Sequence, residues 1–299
     1  MIETGGSKPT PEVSQLLPNP RFLGKPLGFW ASVRTVSQTL GYTVRGQNAI
    51  KVPTIDEISA AFEKLGLDAA RIKKSRKATK LANELVEYFR YRADVLIRVV
   101  EPLLMSAKEA KKEFTALRRR HSPSCPLPMN KQKGAMKEPA FFTCIINMLI
   151  DANSKGCECD FDPRALTTIT RDGAPLRTLA RRVDGAFPSA VNPIAVWEIK
   201  EYYYTTTFGS RVADGVYETL LDGMELQELR VNETIRVKHY LMVDARYTWW
   251  DCGKSYLCRI IDMLHMEYVD EVLFGREVLQ RMPVIVREWV DEFRRREGA

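Results

Sequence analysis

The spacing of apolar residues changes character partway along this chain. Through the first part it is helical. Leu81, Leu85, Phe89, Leu96, Val99, Leu103 and Leu104 predict a long helical region over 81–120, which Pro102 should kink or break. The basic run RIKKSRKATK (71–80) is read as leading into it. Upstream, segments 28–46 and 52–68 each predict a short helix ending at a glycine, Gly41 and Gly66. Thr54, with Glu57 three residues later, has the form of a capping box. Short helices with glycine turns suit a helix-turn-helix and equally suit other small helical domains.

Beyond HSPSCPLP (121–128), whose three prolines mark the best boundary in the chain, the pattern alternates. A helix is predicted over 138–152, with Pro139 in its first turn and Phe142, Ile145, Ile146, Leu149 and Ile150 as its buried stripe. Strands are predicted near 166–170, 176–187 and 194–204, then a helix over 210–229. A strand at 238–245, a helix at 255–266, a strand at 271–275 and a terminal helix to about 296 complete the order. Helix, three strands, helix, strand describes a mixed α/β core with helices covering a sheet. The expected organisation is a helical, basic region over 1–125 and an α/β region over 126–299.

Charge sharpens this division. Residues 1–130 hold 22 Lys+Arg against 12 Asp+Glu, whereas residues 131–299 hold 23 against 26. The first part is suited to a polyanion and the second to a cation. Arg71, Lys73, Lys74, Arg76 and Lys77 are therefore candidate nucleic-acid contacts, although the same charges could simply solvate a helical face. Residues 1–20 read as a Pro-rich leader without the basic and apolar regions of a secretory signal, and no apolar run approaches the ~18 residues a membrane span needs. The expectation is a cytoplasmic protein with reduced thiols. Cys144 sits in an apolar context, and Cys157, Cys159, Cys252 and Cys258 lack the CxxC spacing of a metal knuckle.

The richest chemistry lies in RRVDGAFPSAVNPIAVWEIKEYYYTTTFGSR (181–211). Alternation on a strand puts Glu198 and Lys200 on one face, while Ala195, Trp197 and Ile199 turn towards a covering helix. Asp184 is expected to end the preceding strand, with a Pro-containing loop returning the chain beside it. Two carboxylates and an ammonium would then meet at adjacent strand ends. Phosphodiester hydrolysis needs charge neutralisation and hydroxide near neutral pH, and a Mg²⁺ ion held by carboxylates supplies both. Asp184 and Glu198 are candidate metal ligands, with the Ile199 carbonyl assisting. Lys200 is a candidate for orienting water and meeting developing negative charge. Glu138 is a candidate extra carboxylate at the metal or its water.

Asp184 followed, after 13 residues, by Glu198-Ile199-Lys200 resembles the D…(D/E)xK signature of the PD-(D/E)XK nuclease superfamily, whose fold is restriction-endonuclease-like. Val183 stands where that signature often has proline. The order of elements over roughly 136–246 is similar to its αβββαβ core, and the whole chain looks closest to type II restriction endonucleases. The resemblance implies that Asp184 and Glu198 are ligands of Mg²⁺, with Mn²⁺ as substitute, and that Lys200 is the catalytic lysine. It implies a Mg-dependent endonuclease hydrolysing double-stranded DNA, of restriction or phage-defence type. A homodimer is expected, because antiparallel strands are related by a two-fold axis. A repair or recombination nuclease, or a non-catalytic DNA-binding protein with a degenerate nuclease core, are the alternatives. Several neighbours keep two readings. Tyr202–Tyr204 and Thr205–Thr207 contact phosphate or bases, or complete the sheet. Arg211 faces the scissile phosphate, or pairs with Asp214 or Glu218. Lys131, Lys133 and Lys137 are candidate backbone grips. Trp249, Trp250 and Asp251 are expected to pack and turn.

Overall fold

The computed structural model describes residues 16–47, 49–204 and 209–298. Leu16, within the expected leader, is buried, and its N–H donates to the Glu277 carboxylate at 3.0 Å. Residues 1–15 lie outside the described residues.

Helix α1 (Leu27–Leu40) ends at Gly41 and is followed by a short pair, β1 (Thr43–Val44) and β2 (Ala49–Ile50). Helix α2 (Ile55–Lys64) starts with the reciprocal Thr54–Glu57 capping box expected from sequence. The basic run, expected only to lead into the next helix, forms an element of its own. Strands β3 (Lys73–Lys74) and β4 (Lys77–Ala78) form an antiparallel hairpin with Ser75 and Arg76 at its tip, at φ 50° and 63°. A two-residue turn of this kind needs positive φ at both positions. Neither residue is the glycine or asparagine that would signal it. Thr79 then caps α3 (Lys80–Val95). The helix loosens into a π-type turn at Leu96–Val100, tightens into α4 (Glu101–Leu103) and breaks before α5 (Ala107–Arg120), capped by Ser106. Pro102 lacks an N–H and crowds the carbonyl of the preceding turn, which accounts for the distortion upstream of it.

Helix α6 (Phe141–Asn153) begins three residues after Glu138, so that Glu138 is in the approach to the helix rather than in its first turn. Next come β5 (Asp160–Phe161) and a separate hairpin, β6 (Thr168–Arg171) with β7 (Ala174–Thr178). The single strand expected over 176–187 is thus two, β7 and β8 (Gly185–Phe187), which lie in different sheets. Strand β9 (Ala195–Glu201), helix α7 (Ser210–Glu233), β10 (Lys238–Asp244), α8 (Lys254–His265), β11 (Glu271–Phe274) and α9 (Val278–Glu297) follow. The main sheet has the order β11-β10-β9-β8-β5. Its β9, β10 and β11 are parallel, while β8 runs antiparallel to β9 and β5 to β8.

Helices cover both sheet faces, as expected for a mixed α/β core. Ala195 and Trp197 of β9 pack with α6 and α9, where the Trp197 and Trp289 rings stack at 5.4 Å. Val196 turns the other way, towards Leu226 and Leu229 of α7. Helix α5, which precedes the proline-rich segment, also contributes Phe114 and Leu117 to the core around α6. A third cluster joins α1, α2 and α3. Its seam with the rest is a buried ion pair, Arg92 of α3 on Asp262 of α8, at 2.9 Å.

Gly185 is required by close approach. A Cβ there would lie 2.0 Å from Cζ2 of Trp197, a rigid ring that cannot retreat from its stack on Trp289. Gly185→Ala is expected to lower stability by about 3 kcal/mol, as overpacked cores do, measured by urea denaturation.

Candidate active site

Strand parity builds the centre of the site. Glu198 and Lys200 project from the face of β9 that α7 covers, and the lysine ammonium lies 2.7 Å from Glu198 Oε2. Asp184 reaches the same place from the start of β8. It immediately precedes that strand instead of ending the one before it. Its Oδ2 accepts the Ile199 N–H at 2.7 Å, because β8 has no residue left there to pair with β9. Amide and carbonyl of a strand residue point to the same side, so the Ile199 carbonyl faces the Asp184 side as well.

Three further residues complete the cluster. Arg181 lies 2.8 Å from Glu198 Oε1 and 2.6 Å from Asp222 Oδ2, and 3.4 Å from Glu218 Oε2. Glu218 also receives the Lys200 ammonium at 3.2 Å. Four carboxylates thus surround two cations. Helix α7 can approach because Gly215 faces Lys200; a Cβ there would sit 3.1 Å from Lys200 Cδ and 2.7 Å from the Tyr202 hydroxyl. Arg181 is not expected from sequence, since nothing local says that it folds back over a strand 17 residues later. Gly215, Glu218 and Asp222, at helical spacing, do mark one face of α7, and that pattern is legible.

The cluster is closed at Glu198 and Asp222, both fully buried, and open to solvent at Asp184 and Glu218. Although Asp184 keeps exposed surface, its carboxyl sits against enough protein to lose solvation, and that loss together with the neighbouring Glu198 raises it to about 6. Burial would raise Glu198 too, but Lys200 and Arg181 outweigh it and hold that carboxyl below its usual range. Lys200 loses solvation, yet Glu198 and Asp184 keep it firmly protonated. Asp222 is pushed by burial up to about 7.

Whether these residues suit a hard divalent cation is decided by their donors. All are oxygens, carboxylates outnumber cations four to two, and Asp222 Oδ1 and Glu198 Oε1 are buried without a hydrogen bond. Glu198 Oε1 touches Arg181 as an ion pair, not in hydrogen-bonding geometry. Among the described residues no group of three or more His, Cys, Asp or Glu is arranged to hold a metal unaided. Asp184, Glu198 and the Ile199 carbonyl, completed by water, make a set that fits Mg²⁺, in competition with Arg181 for Glu198.

Other expected residues lie elsewhere. Glu138 is not brought to the cluster: its carboxylate pairs with Lys111 and with the Tyr204 hydroxyl, near the N-terminus of α6 on the opposite face of the sheet. Lys131, Lys133 and Lys137 are exposed on the loop before it, and Gln132 of that loop donates to the Tyr204 carbonyl. The tyrosine hydroxyls are occupied within the protein. Tyr202 donates to the Arg211 carbonyl, Tyr203 to Asp244 and Tyr204 to Glu138. Thr205–Thr207 lie outside the described residues. Arg211 is exposed, and Glu218 pairs with Lys200 and Arg181 instead of with it. Trp249 and Trp250 are buried packing residues, as expected. Lys73 pairs with Asp56, whereas Arg71, Lys74, Arg76 and Lys77 are exposed and form no ion pair among the described residues. All six cysteines are free, and Cys144 is buried.

Buried carboxylates also set a pH dependence for the fold. Burial raises Asp244 and Glu277 to about 7, although each accepts backbone N–H groups. Their unfolded values are about 4, so between about pH 4 and 7 the folded chain binds more protons than the unfolded one, and stability falls as pH rises. Asp184 and Asp222 act in the same direction. The urea midpoint is expected to be higher at about pH 5.5 than at about pH 8.

Two family models match the chain. Residues 105–289 match Domain of unknown function (DUF7687), and residues 16–99 match Domain of unknown function (DUF7690). The two matches meet beside the helix break between α4 and α5. No curated protein and no solved structure matches the chain. No helix among the described residues is long and apolar enough to cross a membrane.

Proposed function

We propose that this chain, which belongs to the DUF7687 family, is a metal-dependent endonuclease that hydrolyses phosphodiester bonds in double-stranded DNA. The observation that carries the reading is the convergence of Asp184, Glu198 and Lys200 on one cluster that opens to solvent at Asp184, with the Ile199 carbonyl on the same side. The order α6, β5, β8, β9, α7, β10, with β10 parallel to β9, also agrees with the αβββαβ core of the PD-(D/E)XK nucleases.

Asp184, Glu198 and the Ile199 carbonyl would hold a Mg²⁺ ion, which would supply charge neutralisation and a water of lowered pKa. The protein's own groups do the rest. Asp184, at the open rim, meets incoming phosphate and solvent first. Lys200, held protonated and fixed between Glu198 and Glu218, presents its ammonium to the attacking water and to charge developing on the phosphate. Arg181 holds Glu198 and Asp222 together and keeps their mutual repulsion from forcing that side of the site apart. Restriction or phage defence is the role we favour. Two copies acting on the two strands, and the division into a DNA-gripping part over 1–125 and a cutting part over 126–299, belong to the same proposal.

The second reading, a nuclease-like core that binds without cutting, draws on one observation: Arg181 already neutralises Glu198. Incubation of plasmid and bacteriophage DNA with the full chain, with Mg²⁺ and with chelator, separates them. Discrete fragment ends in Mg²⁺ alone support the endonuclease, and DNA binding without cleavage supports the alternative.

The exposed β3–β4 hairpin is the favoured DNA grip. Replacing Lys74, Arg76 and Lys77 by alanine is expected to weaken binding evenly across sequences. The slope of log affinity against log salt should become shallower by about 0.9 for each phosphate that these side chains neutralise, read by fluorescence anisotropy over a salt series.

A further inference from the structure

A cavity lies on the side of α7 away from the carboxylate–lysine cluster. It encloses about 480 Å³ between α1, the end of α2, α7 and α8, within the size range of small-molecule sites. Its lining pairs cations with flat and apolar groups: Arg34 and Arg259 with Tyr42, Tyr217, Leu220 and Met263.

Arg259 is the distinctive feature. Its guanidinium lies 5.0 Å from the Tyr42 ring centroid, 5.7 Å from that of Tyr217 and 5.2 Å from that of Tyr256, and it donates to the Tyr217 hydroxyl at 2.8 Å. Among the described residues no carboxylate pairs with it. The one carboxylate on the cavity wall, Asp262, is already held by two hydrogen bonds from Arg92 and by the Tyr88 hydroxyl. Arg34 likewise has no carboxylate partner among the described residues and donates only to Met266 Sδ, at 3.9 Å. The cavity therefore keeps two positive charges uncompensated beside aromatic and aliphatic surface. An anion satisfies the guanidinium groups, and a planar ring satisfies the tyrosine and leucine walls.

We infer that this cavity binds a nucleoside phosphate, its phosphate on Arg259 and Arg34 and its base against Tyr42, Tyr217 and Leu220. The ligand is either a free nucleotide or one unpaired nucleotide unit of a polynucleotide. Occupancy bears on the candidate active site through one element. Helix α7 turns Val216, Tyr217 and Leu220 to the cavity and Gly215, Glu218 and Asp222 to the carboxylate–lysine cluster.

Isothermal titration of the full chain with adenosine monophosphate tests this without any assay of cleavage, so a failed nuclease reading leaves it standing or falling by itself. Saturable binding is expected, with inorganic phosphate at least about tenfold weaker. Arg259→Gln should weaken the nucleotide about tenfold or more, as removal of a charge-assisted hydrogen bond does. Leu220→Trp, which fills the cavity, should abolish binding. Arg34→Gln, at an exposed position where folding is not at stake, should weaken it about threefold. If a single-stranded oligonucleotide displaces the nucleotide, the natural ligand is a unit of nucleic acid; if it does not, the ligand is a free nucleotide. The inference is overturned if the wild type shows no saturable binding, if phosphate binds as tightly as the nucleotide, or if Arg34→Gln and a normally melting Arg259→Gln both bind like wild type.

Discussion

Replacing Lys200 by alanine is expected to reduce Mg²⁺-dependent DNA cleavage by on the order of 10²–10³-fold while leaving DNA affinity unchanged. The ammonium is buried at 6 % exposure and faces Glu198 and Glu218, so it contributes little to the encounter with DNA and much to charge developing inside the site. Folding should survive, because Glu198 keeps its second counter-charge, Arg181. Asp184→Asn is the companion. Its remaining carbonyl oxygen can still accept the Ile199 N–H, but the charge that would hold a cation at the rim is gone. Both variants should stay folded and bind DNA normally, with Lys200→Ala melting below the wild type because Glu198 and Glu218 lose a counter-charge. A wild type that makes no Mg²⁺-dependent cut on plasmid, phage or modified DNA would sink the endonuclease reading outright.

The largest effect on stability is expected at Asp262. Arg92 is 1 % exposed, and its Nη1 reaches both Asp262 oxygens at 3.0 and 2.9 Å; the Tyr88 hydroxyl adds a third bond at 2.6 Å. Asp262→Ala leaves a buried guanidinium that keeps, among the described residues, Ser37 and aromatic faces as its contacts. Stranding a buried charge in this way costs about 3–5 kcal/mol. The measurement is the free energy of urea unfolding. The double variant Arg92→Met with Asp262→Leu should recover much of the stability, because an apolar pair of similar volume has no charge to desolvate. A double-mutant cycle then gives the coupling itself. The pair joins α3 to α8, so the single variant should also loosen the N-terminal helices from the sheet-bearing part.

Much of this architecture is written locally. The stripe in α6, the Thr54–Glu57 box, the break after Pro102 and the alternation of β9 each depend on residues within a few positions of one another. That is why their elements, and the shared face of Glu198 and Lys200, are legible in the sequence. The departures have equally physical origins. The 71–80 run resembles the approach to a helix because its turn residues, Ser75 and Arg76, carry none of the usual signals for positive φ. The 176–187 stretch resembles one strand because β propensity does not say which sheet a strand joins. Proximity to α6 in the chain suggests Glu138 for the metal, whereas strand register and Tyr204 hold it on the opposite side.

By itself, then, the order of residues determined the mixed α/β character, the basic hairpin's composition and the candidate acid–acid–lysine triplet, since periodicity and spacing are properties of neighbours. Only the folded chain decided that Arg181, Glu218 and Asp222 join that triplet and that Gly185 must stay bare beside Trp197. It alone left Arg259, among the described residues, without a carboxylate in a cavity behind α7. Those outcomes depend on which distant surfaces meet, and burial and charge balance are set by that meeting rather than by the local run of side chains.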